Sequence, residues 1–129
     1  MASEHGPFND DFEREVQLNV VEFDRKFIRL KNVIFILSIL DTLSSHPNAN
    51  KGYYFQSNLR DLTSDLETVA IQLADLYGYQ KSTEIEYRRI RMTLSNLISQ
   101  VKTAIRKAKL PNEDEEKELK KKLEKYSKY

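Results

Sequence analysis

Seven basic residues recur along the second half of the chain at spacings that fit a helix. Arg88, Arg91, Lys102, Arg106 and Lys109 would lie on one outward stripe, with serine hydroxyls at intermediate positions. Guanidinium and ammonium groups neutralise phosphates, and hydroxyl groups donate to phosphate oxygens without reading bases. The pattern indicates a face for nucleic acid or for an acidic protein. Its candidate residues are Arg88, Arg89, Arg91, Lys102, Arg106, Lys107 and Lys109.

The same bases also have a structural interpretation. Residues 59–79 carry a net charge of −3 and residues 80–109 a net charge of +6, so acids on one helix could pair with bases on the next. The isoelectric point of about 7.9 lies below that of a typical nucleic-acid-binding domain. Both interpretations stay open at this point.

Three consecutive aromatic residues, Tyr53, Tyr54 and Phe55, follow a polar turn segment. Exposed aromatic side chains often dominate the binding energy of protein interfaces, so this triplet is our first candidate for a partner-binding site. The rings could also stack on bases of a single strand. In the alternative interpretation, Phe55 is the first core residue of a helix and the two tyrosines cover the end of a bundle.

Residues suited to catalysis or metal binding are sparse. His5 and His46 are the two histidines, and neither has a second histidine or a carboxylate at helical ligand spacing. The chain has no cysteine, which excludes disulfides and thiolate sites. The acids do not form the paired glutamate pattern of all-α metal-dependent pyrophosphatases, and no glycine-rich phosphate loop is present. We therefore expect no enzyme activity, no metal and no cofactor.

Three stretches of the chain carry apolar residues at alternating steps of four and three, the spacing of helices that pack side by side. The first seam is Val16, Val20, Phe23, Phe27, Leu30, Ile34 and Leu37. The second is Phe55, Leu59, Leu62, Leu66, Val69, Leu73 and Leu76. The third is Tyr87, Ile90, Leu94, Leu97, Val101, Ala104 and Ala108. The repeat predicts three long helices.

Turn-forming residues set the predicted boundaries of these helices. Pro47 and Pro111 end helical segments, and Gly78 suits the left-handed conformation that closes a helix. The predicted helices cover about 10–44, 53–77 and 82–109. They follow a flexible leader at 1–9 and precede a charged helix or tail at 111–129, which has only a thin apolar stripe formed by Leu119, Leu123 and Tyr126.

The predicted fold is all-α: an elongated, antiparallel, coiled-coil-like three-helix bundle with a short, lightly packed C-terminal fourth helix. The first helix carries more apolar surface than one seam requires, because a second face is formed by Ile28, Val33, Phe35, Ile36, Ile39, Leu40 and Leu43. Two apolar faces need two neighbours, so self-association into a homo-oligomer is a further expectation.

The stretch from Tyr-Arg-Arg-Ile-Arg-Met to Ala-Ile-Arg-Lys-Ala-Lys, residues 87–109, resembles short helical accessory proteins of phage genomes. Some of those proteins assist recombination or counter host defence. The resemblance is confined to this stretch and contains no diagnostic motif, so it assigns no role to any residue.

These observations favour a noncatalytic interaction protein, such as an adaptor, an inhibitor or an assembly subunit, that binds a larger protein through its helix faces. The alternative is a nonspecific nucleic-acid accessory protein that uses the basic stripe, and a further one is an oligomer that sequesters a small ligand. The longest dense apolar run, 33–40, is too short to cross a membrane, and the N-terminal residues lack a signal sequence. We expect a cytoplasmic protein with no membrane contact.

Overall fold

The computed structural model describes residues 30–79 and 84–128, which form four α-helices: α1 (Leu30–Ser45), α2 (Tyr53–Tyr79), α3 (Glu84–Lys107) and α4 (Glu113–Tyr126). This confirms the all-α prediction. The predicted leader and the first part of the predicted first helix, 10–29, lie outside the described residues. α2 continues through Gly78 to Tyr79, two residues past its predicted end, and α3 ends two residues before its predicted end.

The four helices pack in a closed ring, in which α1 contacts α2, α2 contacts α3, α3 contacts α4, and α4 contacts α1. Neighbours in the ring run antiparallel. At one end, the loop between α1 and α2 bonds to the last turn of α3, because the backbone N–H of Asn50 donates to the Ala108 carbonyl at 2.8 Å. At the other end of α4, the Lys128 carbonyl accepts from the Asn32 side chain at 3.4 Å.

The predicted seams of α2 and α3 form the core of the bundle. Apart from Tyr87, whose side chain the structure does not describe, every member of these two seams is buried except Leu76, which packs against the core while partly exposed. Burying a leucine-sized side chain stabilises the fold by roughly 1.5–3 kcal/mol. The four-three repeat therefore identified the inward faces of these two helices.

The predicted seam of α1 is wrong at Ile34, which is 54% exposed. Leu30 and Leu37 are only partly buried, although both pack against the core. The buried residues of α1 are instead Val33, Ile36, Ile39, Leu40 and Leu43. The reason is that α1 packs between α2 and α4, and this wider face fills the space between two neighbours better than a single narrow seam.

α4 packs lightly, as predicted, in the space between α1 and α3. Asn112 begins the helix, because its side-chain oxygen accepts from the Asp114 backbone N–H at 2.8 Å. Acids in the first turn lie at the positive end of the helix dipole. Leu119 and Leu123 are buried, and the ring of Tyr126 stacks on Phe35 with 4.7 Å between centroids. The thin apolar stripe is thus sufficient to hold α4.

The loop between α1 and α2 is tied to α3 mainly through Asn50. Its side-chain amide donates to the Lys107 carbonyl at 3.1 Å, and its side-chain oxygen accepts from the Gly52 N–H at 2.8 Å. The same loop reaches α4, because the proton-bearing Nε2 of His46 donates to Glu115 at 2.7 Å. That tautomer is assigned because Nδ1 of His46 accepts from the Asn48 N–H at 3.0 Å.

Replacing Asn50 with alanine is expected to lower the free energy of unfolding by about 1–2 kcal/mol. The change removes both side-chain hydrogen bonds, so the Lys107 carbonyl at the end of α3 loses its donor and the Gly52 N–H loses its acceptor. Urea unfolding followed by circular dichroism measures the effect. Asn48→Ala is the matched control, since Asn48 lies exposed in the same loop and should change stability by less than about 0.5 kcal/mol. Equal losses in both variants would contradict the role of Asn50.

Lys109 has a left-handed backbone conformation, with φ of 51°. This conformation costs a residue with a side chain about 1–2 kcal/mol and costs glycine little. Lys109→Gly is therefore expected to raise the melting temperature, with a gain of roughly 0.5–1 kcal/mol at the transition. Lys109→Ala removes the same charge while keeping the strain, so it should give no gain. Calorimetry of both variants separates the two causes.

Candidate interaction surfaces

The buried interior of the described bundle offers no site for chemistry. Every side chain that is buried among residues 30–79 and 84–128 is apolar. Within the same ranges, no three His, Cys, Asp or Glu side chains are grouped so that they could hold a metal ion. None of the described helices has the length and apolar character that a membrane crossing requires. Functional groups in this part of the chain therefore have to be sought on its surface.

Tyr53 and Tyr54 form the most exposed aromatic surface of the described helices. Their side chains lie in the first turn of α2 and are 73% and 86% exposed. The two rings meet edge to face with 5.6 Å between centroids, so they form one continuous patch, which we call the tyrosine corner. Phe55 does not belong to it. The structure buries Phe55 in the core, and this corrects its assignment as a partner-binding residue.

The loop beneath the tyrosine corner is held in place by hydrogen bonds. Gln56, one turn into α2, donates to the Asn50 carbonyl at 2.8 Å, and Asn50 is itself bonded to the end of α3. Lys51 donates to the His46 carbonyl at 2.6 Å. Because the backbone on which the two tyrosines stand is fixed in this way, a partner would meet a largely pre-arranged surface.

All seven predicted basic residues lie exposed on α3 or just beyond its end. The stripe formed by Arg88, Arg91, Lys102, Arg106 and Lys109 is the basic face of α3, and Arg89 and Lys107 flank it. Residues 87–112 contain no Asp or Glu. The helix therefore presents only positive charge over about 30 Å, at a rise of ~1.5 Å per residue.

The structure bears on the pairing of these bases with acids of α2. Arg88 and Arg91 have interaction partners. In the part of the chain that the structure describes, Lys102, Arg106 and Lys109 show no ion pair, whereas Lys120 of α4 pairs with Glu116 at 3.0 Å. The C-terminal half of the basic face is thus directed to solvent.

A groove that the sequence did not predict runs between α1 and α2. It has a volume of about 320 Å³, with Leu37, Leu40 and Leu59 among its lining residues and the charged groups Asp41, Arg60 and Glu67 along its length. The sequence feature that could have indicated the groove is the first seam, which contains both Leu37 and Ile34. These residues were expected in the core, whereas the structure places them on and beside the groove.

A scan against protein-family models and searches among curated proteins and solved structures found no match to this chain. The surfaces described above are therefore interpreted from their own chemistry.

Proposed function

We propose that this chain is a noncatalytic interaction protein that binds a larger protein through exposed helix faces, with the tyrosine corner at the centre of contact. The observation that carries the proposal is the pair of exposed, mutually packed rings of Tyr53 and Tyr54 above a hydrogen-bonded loop. Such a protein would act as an adaptor, an inhibitor or an assembly subunit, because occupying a surface requires no reactive group.

Two properties of tyrosine support this assignment. A tyrosine ring buries a large area on binding, and its hydroxyl keeps a polar group for the partner. Its side chain has few rotatable bonds, so ordering it costs less entropy than ordering a long charged side chain. Tyr53 and Tyr54 already contact each other, and this limits further the freedom that is lost on binding.

The proposal is tested by photo-crosslinking in an extract of the source cells. A benzophenone amino acid at position 54 is expected to capture one defined protein, and the same residue at position 85 serves as control, because Ile85 is also exposed but lies on α3. The captured protein is then purified for titration. Tyr53→Ser combined with Tyr54→Ser should weaken its binding at least tenfold, whereas Ile85→Ser combined with Met92→Ser should leave it within twofold.

Two results would contradict the tyrosine corner as the binding site. One is the same crosslinking pattern from positions 54 and 85. The other is a captured partner that binds the double serine variant as tightly as it binds the unchanged chain. Circular dichroism of each variant confirms that the helices are intact, and this is expected because Tyr53 and Tyr54 are exposed.

A second function, nonspecific binding of nucleic acid, is favoured by the unbroken positive charge of the basic face. Lys102, Arg106 and Lys109 follow one another at steps of four and three with exposed side chains. Ser95 and Ser99 continue the same line, and their hydroxyl groups are also exposed. Phosphates of a single-stranded or double-stranded nucleic acid could follow such a line, with the lysine, arginine and serine side chains as hydrogen-bond donors.

A salt titration separates this second function from the first. If the basic face binds nucleic acid, the affinity for a labelled single or double strand falls steeply between about 50 and 200 mM salt. Charge reversal at Lys102, Arg106 and Lys109 should then abolish binding, while reversal at the exposed α4 bases Lys117, Lys121 and Lys122 should have a smaller effect. An affinity that is negligible at about 50 mM salt rules out the second function.

A further inference from the structure

α1 presents a second apolar stripe that the described helices cover only in part. Leu30, Ile34 and Leu37 recur at steps of four and three and continue into Asp41. Ile34 is about half exposed, although a residue of this size and character is usually buried when it belongs to a regular seam. The opposite face of α1 is already packed in the core. Leu30 and Leu37 pack partly against the core, but Ile34 between them is exposed, so the described bundle leaves this stripe incompletely covered.

α2 carries a matching stripe on the same side of the groove. Arg60 and Glu67 line the groove, and Ile71 lies one turn further along the same line of α2. Both charged side chains are exposed, and neither forms an ion pair within residues 30–79 and 84–128. We define the groove face by Ile34, Leu37 and Asp41 of α1 together with Arg60, Glu67 and Ile71 of α2.

We propose that the groove face binds the groove face of a second copy of this chain, antiparallel and around a two-fold axis. In that arrangement α1 packs on α1 of the second copy and α2 packs on α2. The basis is charge complementarity: Arg60 and Glu67 lie two turns apart on one helix, so an antiparallel copy can bring each against its opposite. The inference goes beyond the proposed function and does not depend on it.

The register that pairs Arg60 with Glu67 of the second copy also brings apolar residues of the two α1 helices opposite each other. Counted outward from the loop, Ile34 and Leu37 lie level with the part of α2 between Arg60 and Glu67. The two-fold axis then passes between Ile34 and Leu37, so each of them faces the other residue of the second copy.

These matches favour a second copy over an unrelated helix. An unrelated amphipathic helix would also fill an apolar groove, but it does not explain why opposite charges flank the apolar centre symmetrically. In an isologous interface a charged side chain can find its complement on the same surface. Arg60 and Glu67 satisfy that condition in this register.

The experiment is light scattering and sedimentation of the full chain over a range of concentrations. The mass is expected to rise from 15.2 kDa toward twice that value as the concentration increases to about 1 mM. Arg60→Glu and Glu67→Arg should each weaken self-association at least tenfold, because each places like charges opposite one another at two symmetric points. Lys121→Glu, an exposed charge reversal on α4, should leave association unchanged.

Mixing the two variants tests directly whether Arg60 pairs with Glu67 of the second copy. On the α2 part of the groove face R60E carries two acids and E67R carries two bases, so together they should form a heterodimer although neither associates well alone. The chain with both changes should dimerise again, since the charge pairs are only exchanged. The proposal is overturned if the protein is monomeric up to about 1 mM, which would leave the groove to a different partner or to solvent. It is equally overturned if R60E self-associates as strongly as the unchanged chain, or if the mixture of R60E and E67R forms no heterodimer.

Discussion

Ile36→Ala is expected to lower the free energy of unfolding by about 3 kcal/mol. Ile36 is fully buried between the neighbours of α1, and truncating it removes packed methylene groups and leaves a cavity. A loss of this size is a large part of the stability of a domain of this length. Urea unfolding of the variant and of the unchanged chain, followed by helical circular dichroism, measures the difference.

Ile34→Ala is the matched control for this prediction. It makes the same chemical change two residues away on the same helix, but at a side chain that is 54% exposed. We expect a loss below about 1 kcal/mol in dilute solution, where association does not contribute. Similar losses in the two variants, or a larger loss for Ile34→Ala, would show that α1 packs through its four-three seam after all.

Leu123→Ala is expected to cost about 2–3 kcal/mol. The side chain of Leu123 is 3% exposed and lies in the core cluster, in the last turns of α4. The effect should include loss of the contact between Phe35 and Tyr126, because α4 loses one of the two buried leucines that hold it. Thermal unfolding combined with amide hydrogen exchange of α4 measures both consequences.

Lys122→Ala controls for the loss of a long side chain from α4. Lys122 is exposed, so its replacement should change stability by less than about 0.5 kcal/mol. If Leu123→Ala were as mild as the control, α4 would be a solvated appendage and the closed ring of four helices would not describe the protein in solution.

The sequence predicted the inward faces of α2 and α3 because each helix has one continuous apolar seam and only scattered apolar residues outside it. Leu59, Leu66 and Leu94 have no competing apolar face on their helices, so periodicity alone determines which side is buried. α1 differs, since Ile34 and Ile36 both belong to apolar faces. Spacing cannot rank two such faces, and the choice depends on how many neighbours surround the helix.

The bonds that fix the loop could not be predicted from the sequence. His46 and Glu115 are 69 positions apart, and Asn50 and Lys107 are 57 apart. Nothing local indicates that these pairs meet, because their contact depends on α4 and the end of α3 reaching the same end of the bundle. For the aromatic triplet the sequence allowed two interpretations, an exposed binding site or a core position for Phe55. The structure combines them, because Tyr53 and Tyr54 are exposed and Phe55 is buried.

Thiol reactivity along α1 tests most directly the claim that this helix buries one apolar face and presents the other for binding. The chain has no cysteine, so each single-cysteine variant reports one position. In dilute solution a cysteine replacing Ile34 should react with a maleimide nearly as fast as in the unfolded chain, and one replacing Ile36 should react at least tenfold more slowly. Fast reaction at 36 together with protection at 34 would contradict the claim.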